Sequence, residues 1–131
     1  MATTRLSKSK KQLNLQAPEL DLDLIRSAQI RLIVGHLIEQ SSNVHWTELS
    51  GPRRGSPHAK RARKIAMYLV HVGGGLTLTA TGDLFERDRR TVAHAAAAVE
   101  DDREADQVLD RALDNMERAV RLTLARVQID A

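Results

Sequence analysis

Arg87, Asp88, Arg89, Arg90 and Thr91 form a run in which every side chain can make directional hydrogen bonds to another polar surface. Arginine carries a planar fork that fits O6 and N7 of guanine, aspartate accepts from the N4 amine of cytosine, and threonine reaches a phosphate oxygen or a thymine methyl. His94 stands about one helical turn beyond the run and would make a structural or phosphate contact there. A second concentration of donors lies upstream, where Gly51 to Lys64 carries Arg53, Arg54, Lys60, Arg61, Arg63 and Lys64 against no acidic residue. Cations on such a loop neutralise phosphates or enter a narrow minor groove. Each feature also has a plain reading as solvated surface, with Asp88 simply capping a helix dipole. Together they favour a polyanionic partner.

Catalytic chemistry has no comparable set of residues. The absence of cysteine excludes a disulfide framework, a thiol nucleophile and cysteine-ligated zinc, and suits a reducing cytosol. The histidines (His36, His45, His58, His71 and His94) are scattered, and only His36 and Glu39 share ligand spacing, so neither a metal nor any other cofactor is expected. Gly73, Gly74 and Gly75 could suggest a phosphate cradle, but no G-x-x-x-x-G-K-[ST] pattern or leading strand accompanies them. The expectation is a binding protein rather than an enzyme.

The elements that must hold these residues are helical. With 131 residues, 42% of them hydrophobic but only 2% aromatic, the chain fits one domain with an aliphatic core. Residues 1–18 mix Lys, Arg, Ser and Gln without periodicity and are expected to be a basic disordered arm, with a domain over 19–128. Apolar spacing from Leu24 to Ile38, behind Glu19, Asp21 and Asp23, predicts a helix over 20–40. Val44, Trp46 and Leu49 suit one short helical turn in which Trp46 plugs the core. A further helix starts after Pro57 and stops at the glycine triplet. Thr77 or Thr79 can cap a short helix over 80–85, and a second helix over 88–99 turns Val92, Ala95, Ala96 and Val99 inward. Two helices across so short a turn make a helix-turn-helix near 79–99. An apolar stripe from Ala105 to Val127 predicts a long amphipathic C-terminal helix. No segment reads as a secretory signal or membrane span.

The net charge of +3 conceals a segregation: Glu100, Asp101, Asp102, Glu104, Asp106, Asp110, Asp114 and Glu117 follow the basic run. A bundle polarised in this way orients its approach to a polyanion, and the acidic face is expected to point away from it.

The order of these motifs resembles the C-terminal DNA-binding domain, domain IV, of the bacterial replication initiator DnaA. "RKIAMYL" at 63–69 and "GDLFERDRRTVAHA" at 82–95 carry the likeness, and "VHWTELSGPRRGS" at 44–56 is similar to that family's short helix and basic loop. The resemblance spans roughly 22–125 and implies an all-α bundle, Trp-repressor-like in its helix-turn-helix. It implies that Asp88, Arg89, Arg90 and Thr91 read the major groove, that Arg54 enters the minor groove, and that Arg53 is its phosphate or groove neighbour. Arg89 and Arg90 stand where the family has His and Thr, which favours guanine or adds phosphate contacts. The turn is one residue shorter, with Glu86 where glycine is usual. No Walker motif is present, so the likeness is to a free-standing DNA-binding domain without the ATPase.

The expected DNA-contacting set is therefore Arg53, Arg54, Lys60, Arg61, Thr77, Thr79, Arg87, Asp88, Arg89, Arg90, Thr91 and His94. The expected role is regulation of replication initiation or transcription in the bacterial cytoplasm, at the nucleoid, with duplex DNA as partner and no membrane. A second copy of the chain and a replication initiator are the further partners suggested. The competing expectations are a protein-interaction module dimerising through the C-terminal helix or through the first helix, and a sequence-indifferent nucleoid-type binder.

Overall fold

A computed structural model describes residues 19–52 and 55–130, with side chains to Val127; Arg53, Arg54 and the proposed arm lie outside the described residues. Helix α1 (Leu22–Ser42) starts where the Asp21 carboxylate accepts the Asp23 and Leu24 N–H groups at 3.1 and 3.2 Å. It stops where Asn43 turns left-handed at φ 56° and its N–H closes on the Glu39 carbonyl at 2.8 Å. Ile30, Val34 and Ile38, spaced by one turn, supply its buried edge.

Helix α2 (Trp46–Ser50) is a single turn anchored by buried Leu49. Helix α3 (Pro57–Tyr68) has proline in its first turn, where a missing N–H costs nothing, and the Ser56 hydroxyl accepts the Ala59 N–H at 3.1 Å. The glycine triplet does not end this helix directly. Instead the backbone widens into a π-helical turn (Leu69–Gly73) that the Gly74 N–H closes onto the Leu69 carbonyl at 2.9 Å. Gly74 is a packing position, because a Cβ there would lie 2.7 Å from Ile30 Cγ2 of α1. Within the triplet only Gly75, at φ +75°, is needed for its backbone freedom.

Helices α4 (Leu78–Phe85), α5 (Arg89–Ala105) and α6 (Gln107–Asp130) complete an all-helical fold, with no strand among the described residues. α3 and α5 form the most extensive pairing, and their buried faces include small residues, Ala59, Ala62 and Ala66 beside the larger Arg63, Met67 and Tyr68 on one and Val92, Ala95 and Val99 on the other. Such faces let two backbones approach closely, so α3 fixes the position of α5.

α5 runs six residues past the expected end, through Glu100 to Ala105, a stretch in which Arg103 is bonded to Asp110 and Glu117 of α6. A single non-helical residue, Asp106, separates it from α6 and accepts the Val108 and Leu109 N–H groups at 3.0 and 3.2 Å. On α6, Leu113, Glu117, Val120 and Leu124 are buried against the π turn, α1 and α5. The Leu113, Val120 and Leu124 part of the C-terminal stripe is thus occupied by its own bundle, whereas Ala105, Val108 and Ala112 are exposed. No helix among the described residues is long and apolar enough to cross a membrane.

Candidate nucleic-acid interface

The segment from Thr77 to Thr91 is held by backbone geometry at every step. The Thr77 hydroxyl accepts the Ala80 N–H at 3.0 Å and starts α4. At the other end Glu86 adopts the left-handed conformation at φ 55°, and the Arg87 N–H returns to the Gly82 carbonyl at 2.9 Å, the long bond of a Schellman closure. Gly82 is required there: a Cβ would stand 2.4 Å from the Arg87 carbonyl oxygen. The turn therefore lies directly on the backbone of α4.

Beyond it, the Asp88 carboxylate accepts the Thr91 N–H at 2.9 Å and the Thr91 hydroxyl at 3.3 Å, capping α5. The backbone hydrogen bond from Thr91 is the main reason the Asp88 carboxyl is held below its usual range. Asp88 and Thr91 are exposed, yet both are engaged in starting the helix. The capping role and an outward-facing position thus coexist.

Arg87 does something other than expected. Its guanidinium donates to the Phe85, Glu86 and Gly51 carbonyls at 3.0, 3.2 and 2.8 Å, tying the turn to the end of α2. It braces the turn and, half-buried, also lines the groove between α3 and α5. Arg63 behaves similarly: buried, it donates from Nε to the Leu49 carbonyl at 2.6 Å and from its terminal nitrogen to the Glu48 carbonyl at 2.9 Å. Burial, and next the nearby Arg87 charge, pull its pKa down. Both cations satisfy carbonyls at the end of α2, where a positive charge complements the helix dipole. A signal for Arg63 existed in the sequence, since it shares the buried edge of α3 with Ala59, Ala66 and Met67.

Arg89 and Arg90 remain exposed on the first turn of α5, with no ion-pair partner among the described residues. Two cations at the positive end of a helix dipole cost about 0.3–1 kcal/mol each in isolation, so local helix energetics does not account for them. Beside them, α3 and α5 enclose a groove of about 370 Å³ into which Lys60, Lys64, Thr91 and His94 all face. Arg61 is exposed on the same stretch of α3 as Lys60 and Lys64. Lys60, Thr91 and His94 are thereby brought beside the exposed start of α5, whereas Arg61 lines a second groove with Asp102 and Asp106 at the far end of that helix; Thr77 caps α4 and Thr79 is exposed on its first turn.

Three carboxylates of the acidic block, Asp110, Asp114 and Glu117, gather around one cation. Arg103 of α5 donates to Asp110 and Glu117 at 2.6 Å each, to the Tyr68 hydroxyl at 2.9 Å and to Asp114. Its guanidinium lies 5.7 Å from the Tyr68 ring centre, and the Tyr68 hydroxyl donates to Glu100. Burial alone disfavours the charge on Arg103, but hydrogen bonds with Asp110, Glu117 and Tyr68 outweigh it and raise its pKa. Burial, then the bond to Glu100, pushes the Tyr68 hydroxyl up to about 12.

The histidines find separate partners: His58 Nε2 lies 2.7 Å from the Ser42 carbonyl, His71 Nδ1 2.6 Å from the Leu76 carbonyl, and His45 pairs with Glu39 at 3.2 Å. Trp46 is only half-buried, its ring 4.7 Å from that of Phe85 and under the Arg31 guanidinium at 5.0 Å. Comparison with protein-family models, curated proteins and solved structures finds no match to this chain.

Proposed function

We propose that this chain binds double-stranded DNA through α4, the turn and α5 acting as a helix-turn-helix, with the start of α5 entering the major groove. The observation that carries the reading is the exposure of Arg89 and Arg90 on a helix start locked by the Gly82 and Asp88 contacts. Cations that form no salt bridge among the described residues and stand against the helix dipole are best explained by a partner that pairs them. From Arg89 to Ala98 the helix extends about 15 Å before exposed Glu100, close to the roughly 12 Å width of the major groove. Beyond that point Glu100, Asp101 and Asp102 would repel phosphates, which limits how far α5 can lie along the duplex.

In this reading Arg89 and Arg90 contact base edges, and Lys60, Arg61, Lys64 and His94 contact the flanking phosphates. Arg87 and Arg63 support from beneath. The basic loop with Arg53 and Arg54 supplies the minor-groove contact that the resemblance to DnaA domain IV implies. The same resemblance supports a regulator of bacterial replication initiation or transcription, acting by occupying sites.

The test is selection of bound fragments from random DNA, followed by titration of the selected duplex with wild-type protein and an Arg89→Ala/Arg90→Ala variant. The variant is expected to lose roughly 1–3 kcal/mol per base contact on the selected site, and less on unrelated duplexes. Equal binding of every duplex by both proteins would defeat the assignment of α5. Enrichment of no sequence, with a steep salt dependence, would instead favour phosphate binding by the exposed α3 cations alone.

A further inference from the structure

Helix α1 is apolar on two opposite faces, which an ordinary bundle helix is not. Ile30, Val34 and Ile38 face the core, while Leu22, Ile25, Ala28 and Leu32 form a second stripe exposed to solvent. Ile25 and Val34 are nine residues apart, which at about 100° per residue places them on opposite sides of the helix. Leu22 is 70% and Leu32 69% exposed, and no element among the described residues covers them. Contiguous apolar surface of this kind marks an interaction site.

We infer that this stripe is the contact between two copies of the chain, paired antiparallel along α1. Self-complementarity carries the choice of occupant. Setting Ile25 of one copy level with Leu32 of the other puts a two-fold axis between Ala28 and Gln29, where a small side chain allows close approach. The same register brings Asp21 level with His36 of the second copy, so the acidic start of each helix meets an imidazole near the end of the other. Parallel pairing would instead stack Glu19, Asp21 and Asp23 on their own counterparts and align the two helix dipoles unfavourably. α1 packs on α3, α4, α6 and the π turn. Arg89 and Arg90 are on α5, so pairing through the outer face of α1 leaves them open. The inference does not depend on what they bind.

Sedimentation velocity of the full chain, without DNA and over a wide range of concentration, is expected to show a monomer–dimer equilibrium. Leu32→Glu should weaken dimerisation at least roughly tenfold, and Ile25→Glu with Leu32→Glu should abolish it, both with unchanged circular dichroism because the positions are exposed. Wild-type protein that stays monomeric throughout, or a dimer that the double variant leaves intact, overturns the inference. Because the chain has no cysteine, single cysteines report the geometry independently. Ala28→Cys should form a disulfide-linked dimer under mild oxidation, while His36→Cys should not, its two copies being about 22 Å apart along the axis. The reverse pattern overturns the antiparallel arrangement.

Discussion

The two ends of α5 hold arginines in opposite circumstances. At its start Arg89 and Arg90 stand in solvent without a salt bridge among the described residues, Arg90 feeling the nearby Asp88 charge, on the end of the helix where the dipole opposes them. At its end Arg103 is almost enclosed, its side chain 12% exposed, with Asp110, Asp114, Glu117 and Tyr68 around it. One end uses positive charge to hold α5, α6 and α3 together; the other contributes charge that the fold does not use. The contrast separates cations that serve folding from cations available to a partner, a distinction that net charge cannot make.

Removing the enclosed cation should have the largest effect on stability. Arg103→Met leaves the buried Glu117 carboxylate with only the longer 3.9 Å pairing to Arg121 and is expected to cost about 2–3 kcal/mol in urea unfolding. That is the low end for a broken buried pair, because Asp110 and Asp114 stay half in water. A loss below about 1 kcal/mol would erase the contrast.

Gly82→Ala should come next, at about 2 kcal/mol, since the added methyl meets the Arg87 carbonyl oxygen at 2.4 Å and must push the turn off α4. Thermal unfolding measures the cost. A neutral outcome would mean that α5 is not seated by that contact.

Arg89→Ala with Arg90→Ala should raise stability, by roughly 0.6–2 kcal/mol at low ionic strength and less in salt, because two charges leave the positive end of the dipole. Calorimetry that finds a clear loss would move these residues into the folding category.

The smallest effect is confined to alkaline pH. Tyr68 is the chain's sole tyrosine, so ultraviolet titration reads it alone, and its folded pKa lies at about 12 against an ordinary 10.0. A raised folded pKa means that Tyr68 stabilises the protein fully below pH 10 and that this contribution is lost as pH climbs through 12. Glu100→Gln should bring the titration closer to the ordinary value.

Periodicity and capping chemistry made the helices legible in the sequence. Asp88, Thr77 and Pro57 mark helix starts whose geometry follows from side-chain reach alone. What was not legible depends on contacts distant in the chain. Arg87 reads as an exposed cation until the Gly51 carbonyl, far upstream, is found against it. The first helix reads as one apolar pattern, and only packing separates Leu22, Ile25 and Leu32 from Ile30 and Val34. Arg63, Arg103 and Glu117 share a clue that sequence reading passed over, since each falls in register with the buried edge of its own helix. A charge in that register announces a buried partner. The base-contacting role proposed for Arg89 and Arg90 has no such internal check and rests on binding.

The single residue between α5 and α6 gives chain length a meaning of its own. Arg103 meets Asp110, Asp114 and Glu117 across Asp106, so the partners are in phase only while exactly that much backbone intervenes. One inserted residue would rotate α6 by about 100°, turning those carboxylates aside and carrying Leu113 and Val120 out of the interior. At this joint, homologous chains should vary in residue type far more readily than in residue count.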